Sequence, residues 1–180
     1  MLITFTGESG SGKSTIARSL MKLNSFYLLT SSTTRAARPS DLPDEYEYLF
    51  EEEFKLLEKS GAFIWTASYA GNNYGTKYGY INEVLDDRDT YHILILVPQV
   101  LPILLDYTEK AIPFFIRTPN ELVLRKRMEE RGDSAENIEK RLEHFWEWER
   151  EADKSEINYR FINNEGSIED AVRQVLGYLK

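Results

Sequence analysis

Gly7, Gly12, Lys13 and Ser14 occupy the four fixed places of the pattern G-x-x-x-x-G-K-[ST], within the stretch GESGSGKST from Gly7 to Thr15. Glycines let backbone N–H groups approach an anion closely, and a helix starting behind them adds the positive end of its aligned peptide dipoles. Lys13 is then placed to sit on the β and γ phosphates of a nucleotide as a mobile point charge, with the Ser14 hydroxyl as a ligand of Mg²⁺. Ser9, Gly10, Ser11 and Thr15 complete the cradle. The chemistry this set points to is binding of ATP or GTP.

Arginines are the second group of interest. Arg35 and Arg38 follow a run of hydroxyl residues in SSTTRAAR, from Ser31 to Arg38. A planar guanidinium holds phosphate through two parallel charge-assisted hydrogen bonds. Arg127 and Arg131 are four apart, so one helix face presents both. The net charge of −8, from 22 basic and 30 acidic residues, makes such local clusters necessary. It also argues against nucleic acid or an anionic membrane as a partner.

The elements that must position these groups follow from the apolar pattern. Leu2 to Thr6 reads as a short buried strand and Ser14 to Leu23 as a helix with Ile16, Ala17 and Leu20 on one face, so strand, glycine loop and helix come in the required order. Further strands are expected at Phe26 to Thr30, Tyr46 to Phe50, Phe63 to Tyr69, Ile93 to Val97, Ile112 to Ile116 and Tyr159 to Asn163. Short helices are expected over Glu51 to Lys59 and Lys77 to Leu85, and Ala70 to Thr76 reads as a sharply turning loop. Thr118, Pro119 and Glu121 read as the start of a helix running to Arg131. Asp133 to Glu136 repeats that spacing and opens a long charged helix with Ile138, Leu142 and Phe145 on one stripe. Ser167 caps a last helix to Leu179.

Strands alternating with helices after such a loop imply an α/β, three-layer fold of the P-loop NTPase kind, with a parallel central sheet and ligands beyond the carboxyl ends of its strands. Residues 31–90 carry a locally β-rich run, expected to be an insertion rather than part of that sheet. The 180 residues suffice for one domain with a substantial core, and 42% apolar with 29% charged residues is the composition of a globular protein. Cysteine is absent, which excludes disulfides, thiolate metal sites and a cysteine nucleophile. Met1 leads straight into the first strand and no apolar run reaches the length of a membrane span, so the expected location is the cytoplasm. The sequence sets no oligomeric state.

Taken together the motifs resemble those of the guanylate kinase family over essentially the whole chain. That family moves the γ-phosphate of ATP to the phosphate of GMP. Its T-T-R-x-x-R stands here as Thr33 to Arg38, its tyrosine before a strand as Tyr46, its later E-F as Glu53-Phe54, and its G-N-Y-Y-G-[ST] as Gly71 to Thr76. The resemblance implies that Ser31, Arg35, Arg38, Tyr46 and Tyr74, with Thr76 beside them, grip the acceptor. It also implies phosphoryl-clamping roles for Arg127, Arg131 and Arg141, the last two matched by R-G and K-R-L. It further implies ATP with Mg²⁺ as donor, residues 31–90 as the acceptor-binding insertion and residues 131–151 as a lid.

Three positions depart from the family pattern. Trp65 stands where the family has a glutamate on the guanine edge. Leu94, Ile95, Leu96 and Val97 stand where it has D-I-D. Asp41 replaces the glutamate of R-x-G-E. The phosphate machinery is kept, whereas the base-reading groups are altered. Trp65 is expected either to line the site, with modest discrimination between bases, or to pack beside Phe63 and Tyr69 while another carboxylate such as Asp41 reads the base. The leading expectation is a nucleoside monophosphate kinase with GMP or dGMP as default acceptor. Alternatives are a kinase of another phosphorylated small molecule, as in the ribose bisphosphate kinases, and a guanylate-kinase-like binding module, against which the intact Lys13 and Ser14 speak.

Overall fold

Residues Leu2–Thr6 (β1), Tyr91–Ile95 (β7) and Ile112–Arg117 (β8) are the apolar runs that become the centre of a parallel sheet. Phe26–Leu28 (β2) and Arg160–Asn163 (β9) flank them, giving the order β2-β7-β1-β8-β9. Every residue of β1 is buried, as a central strand covered on both faces requires. The computed structural model describes residues 1–39, 41–118, 120–130, 132–143 and 146–180, and of Arg141 the backbone only.

Helices cover both faces. On one side Lys13–Leu20 (α1) and Ile168–Tyr178 (α8) bury Ile16, Ala17, Leu20, Ala171 and Val175 against Ile3, Phe5, Ile93, Phe114 and Ile162. On the other, Tyr78–Asn82 (α3) and Leu101–Tyr107 (α4) bury Ile81, Leu101 and Leu104 against Leu2, Leu94 and Leu96. Alternation of side chains along each strand sends Ile93 to the first face and Leu94 to the second. Helix α4 and the 3₁₀ turn Pro98–Val100 before it were not expected from the sequence.

A second sheet forms between β2 and β7. Ser31–Thr33 (β3), Tyr46–Tyr48 (β4), Phe63–Tyr69 (β5) and Asn72–Lys77 (β6) pair in the order β4-β3-β6-β5. This corrects the reading of 70–76 as a loop. Only Ala70 and Gly71, at φ 51° and 76°, make the turn, and the residues after them form a hairpin strand against β5. The helix Glu51–Lys59 (α2) begins where the sequence places it, with the Glu53 carboxylate accepting from the Phe50 N–H at 2.9 Å, whereas the strand before it ends at Tyr48 and not at Phe50.

After β8 the expected cap moves. Helix Glu121–Glu130 (α5) is capped by Asn120, whose Oδ1 accepts from the Val123 N–H at 2.9 Å, and not by Thr118. Ser134, accepting from the Asn137 N–H, caps Ala135–Leu142 (α6) in place of Asp133. The single long helix expected here is two: Trp146, at φ 74°, separates α6 from Glu147–Lys154 (α7). Pro119, Arg131 and Phe145 lie outside the described residues. Leu124 and Met128 of α5 close a small core with Ile138 and Leu142 of α6.

Candidate active site

The loop between β1 and α1 wraps an open cleft of about 500 Å³ at the carboxyl ends of the central strands. Gly7, Ser9, Gly10, Gly12, Lys13, Ser14 and Thr15 line it, whereas Ser11 is buried beneath the loop. Glycine is required at two points: at Gly7 (φ 130°) a Cβ would collide with the Ile116 carbonyl, and at Gly12 (φ 98°) with the Asn164 amide. Lys13 Nζ donates to the carbonyls of Gly7 and Glu8 at 2.7 and 2.8 Å. It therefore also holds the loop's shape, a role the sequence did not assign to it. Arg127 reaches the same loop from α5, its Nη1 donating to the Gly10 carbonyl at 3.2 Å.

The opposite side of the cleft is the acceptor side of the expectation. Ser31, Arg35, Arg38, Asp41, Tyr46, Trp65 and Tyr74 all line it. Arg35 is 7% exposed, yet it is satisfied: Nη2 donates to Asp41 Oδ1 at 2.9 Å and Nη1 to the Ala36 carbonyl at 2.7 Å. Burial works against the Arg35 cation, but the Asp41 carboxylate outweighs it and holds the guanidinium's pKa above the ordinary value. Burial of Asp41 is likewise outweighed, by Arg35, the Tyr48 hydroxyl and the Arg38 N–H, so its pKa is lowered. Asp41 is thus the brace of the arginine pair. The Arg35 guanidinium also lies 5.0 Å over the Tyr46 ring.

Thr76 does not line the cleft. It is fully buried behind Ser31, the two hydroxyls 3.1 Å apart, and so supports Ser31 instead of facing the cleft. Arg131 and the Arg141 side chain lie outside the described residues.

Trp65 is buried and also borders the cleft. A bulge between Phe63 and Trp65 breaks strand alternation, so Ile64 and Trp65 both enter the apolar cluster with Leu94 and Leu96. Trp65 is 4% exposed, and part of it still borders the cleft. Its Nε1 is buried without a partner. The neighbours expected for it are engaged elsewhere: Phe63 stacks on Phe54 at 4.8 Å and Tyr69 meets Trp148 of α7 at 5.6 Å. Ile95, Leu96 and Val97 extend the apolar wall.

Glu45, Asn164 and Glu8 are among the polar residues of the site that were not singled out from the sequence. Glu45, just before β4, faces Ser14: the Ser14 hydroxyl donates to Glu45 Oε1 at 3.4 Å. Asn164 follows the end of β9 and donates from Nδ2 to the Ser11 carbonyl at 2.6 Å. Its position directly after a parallel strand is the signal that could have found it. Glu8, inside the phosphate loop, is 6% exposed with Oε1 unpartnered. Burial raises its pKa to about 7 against the pull of Lys13, Glu149 and Glu147 adding to the rise, while the Trp148 N–H donates to it.

The sequence model of the guanylate kinase family matches residues 1–180. The chain is 37% identical over 177 residues to the guanylate kinase of Streptococcus pneumoniae strain R6, covering 93% of this chain and 81% of that one. It is 31% identical to the guanylate kinase of Clostridium tetani, covering 97% and 83%. The crystal structure of guanylate kinase from Anaplasma phagocytophilum is similar in fold, with TM-score 0.73 and 23% identity, covering 99% of this chain and 84% of that one.

Proposed function

Because this chain belongs to the guanylate kinase family, we propose that it transfers the γ-phosphate of ATP to the phosphate of GMP or dGMP. The observation that carries this reading is one cleft with Lys13 and Ser14 on one side and Arg35, Arg38, Tyr46 and Tyr74 on the other.

In this reading the backbone N–H groups from Gly7 to Thr15 bind the donor phosphates, and Lys13 neutralises the β and γ oxygens. Ser31, Arg35, Arg38, Tyr46 and Tyr74 bind the acceptor phosphate and point its oxygen at the donor, with Asp41 fixing Arg35. Orientation of two bound reactants removes much of the entropic part of the barrier. Arg127, held at Gly10, is placed to offset charge on the moving group. Residues 31–90 act as the acceptor-binding insertion and residues 131–151 as a lid that excludes water.

The hard oxygen of Ser14, bordering the cleft, fits Mg²⁺, whereas Leu94 to Val97 offer it no side-chain oxygen. When bound beside Ser14, Mg²⁺ would supply charge that neutralises the donor phosphates. We place the reaction in the cytoplasm, where both nucleotides are available. Among the described residues no helix is long and apolar enough to cross a membrane.

The test is ADP formation from ATP and Mg²⁺ with GMP, dGMP, AMP, CMP, UMP and phosphorylated sugars in turn. GMP or dGMP is expected to give the highest kcat/KM, and turnover confined to a sugar phosphate would overturn the proposal.

A further inference from the structure

We infer that Glu45 supplies the carboxylate that holds Mg²⁺ beside Ser14, a position that the apolar end of β7 leaves without an acidic side chain. The inference rests on the nucleotide site proposed above and adds a residue to it.

Among the described residues three carboxylates border the cleft: Asp41, Glu45 and Glu130. Asp41 is committed to Arg35 at 2.9 Å, to the Tyr48 hydroxyl at 2.6 Å and to the Arg38 N–H at 2.7 Å. Glu130 is exposed at the last position of α5. Glu45 alone of the three is bonded to Ser14, the Ser14 hydroxyl donating to its Oε1 at 3.4 Å.

The carboxylate is also held in place before any ligand arrives. Oε2 accepts from the Leu42 N–H at 2.9 Å, the Glu45 N–H donates to the Leu42 carbonyl at 3.2 Å, and the Glu45 carbonyl accepts from the Ser31 N–H at 3.1 Å. The side chain is 6% exposed, so its rotamer freedom is already lost. Mg²⁺ takes hard oxygens, keeps several waters, and is typically bound through one or two carboxylates plus substrate phosphates. A serine hydroxyl and a fixed carboxylate oxygen at adjoining positions meet that requirement, directly or through a metal-bound water.

The test is calorimetric titration of ATP into wild type and Glu45→Gln, each with Mg²⁺ and with EDTA. Glutamine keeps an acceptor for the Leu42 N–H, so the loop stays closed, and only the charge is removed. Mg²⁺ is expected to tighten ATP binding in wild type, and that enhancement to fall by about tenfold or more in the variant, as loss of a metal's supporting oxygen does. ATP affinity in EDTA is expected to be unchanged or higher. An equal Mg²⁺ enhancement in both proteins overturns the role of Glu45 and leaves the proposed function standing. Failure of wild type to bind ATP in either condition overturns both.

A second measurement needs no variant. In wild type labelled with carboxyl-¹³C glutamate and loaded with Mn²⁺ and ATP, electron–nuclear double resonance is expected to show a ¹³C coupling to the metal. Its absence overturns the inference.

Discussion

Arg38 and Asp133 pair at 3.4 Å, so the segment carrying Arg35 and Arg38 is tied to the start of α6. Tyr69 and Trp148 make a second bridge, at 5.6 Å, between β5 and α7. In the proposed function both bridges join the acceptor-binding insertion to the lid. A bisubstrate analogue is expected to favour the bridged arrangement and compact the protein in solution. Small-angle scattering checks this, and an unchanged radius on binding would count against lid closure.

Arg35→Lys and Arg38→Lys are expected to weaken acceptor use much more than ATP binding. Lysine keeps the charge and loses the fork that binds phosphate through two bonds. Loss of one bond to a charged group costs roughly 1.5 to 3 kcal/mol, or about 10- to 100-fold in acceptor kcat/KM. ATP affinity, measured beside the acceptor kinetics, should stay within about twofold for the opposite reason: Lys13 and the loop amides are untouched. Equal losses in both would move these arginines to the donor phosphates.

Glu8 is expected to make stability fall as pH rises. Its carboxyl has an ordinary value of 4.5 unfolded and about 7 folded, so the folded state binds the extra proton. The protonated form carries no burial penalty below pH 4.5, and the penalty grows as pH rises through 7. Lys13 limits it, and Glu147 and Glu149 add to it. Glu8→Gln should therefore flatten the melting temperature between pH 5 and 8 and stabilise the protein at pH 8, by about 3 kcal/mol at most. Parallel pH profiles for variant and wild type would show that Glu8 is not the group responsible.

Wild type is expected to prefer GMP over AMP only modestly. A carboxylate on the guanine edge can reject other bases by about 10⁴-fold, because its charge is otherwise unpaired, whereas an aromatic face contributes roughly 1 to 3 kcal/mol to any base. Trp65→Glu should raise the preference for GMP. It should also lower the melting temperature, since a carboxylate then enters the cluster of Ile64, Leu94 and Leu96. A wild-type preference near 10⁴ would show that another group reads the base.

Much of the strand, loop and helix around Lys13 was legible in the sequence, because its parts are local. Strand, glycine loop and helix occupy one short stretch, and the φ values of Gly7 and Gly12 are those the pattern implies. The arginines could be read as a pair for the same reason. What was missed depends on distant partners. Strand β6 is rich in asparagine and glycine, which disfavour strands, yet pairing with β3 and β5 on either side overrides that preference. Glu45 has no local pattern at all, since its place beside Ser14 comes from a separation of 31 residues. The break at Trp146 sits in a segment whose charges and apolar spacing suit one continuous helix, and only the left-handed φ reveals the turn.

The wall formed by Ile95, Leu96 and Val97 has a bearing on wasted ATP. Side chains there offer water no hydrogen-bonding partner, so solvent molecules are poorly anchored along that flank of the cleft. A phosphoryl group in transit can be intercepted by water only if a water molecule is held in line with it. An aliphatic flank therefore offers few places where a hydrolytic competitor would be oriented, and it favours delivery of the phosphate to the acceptor.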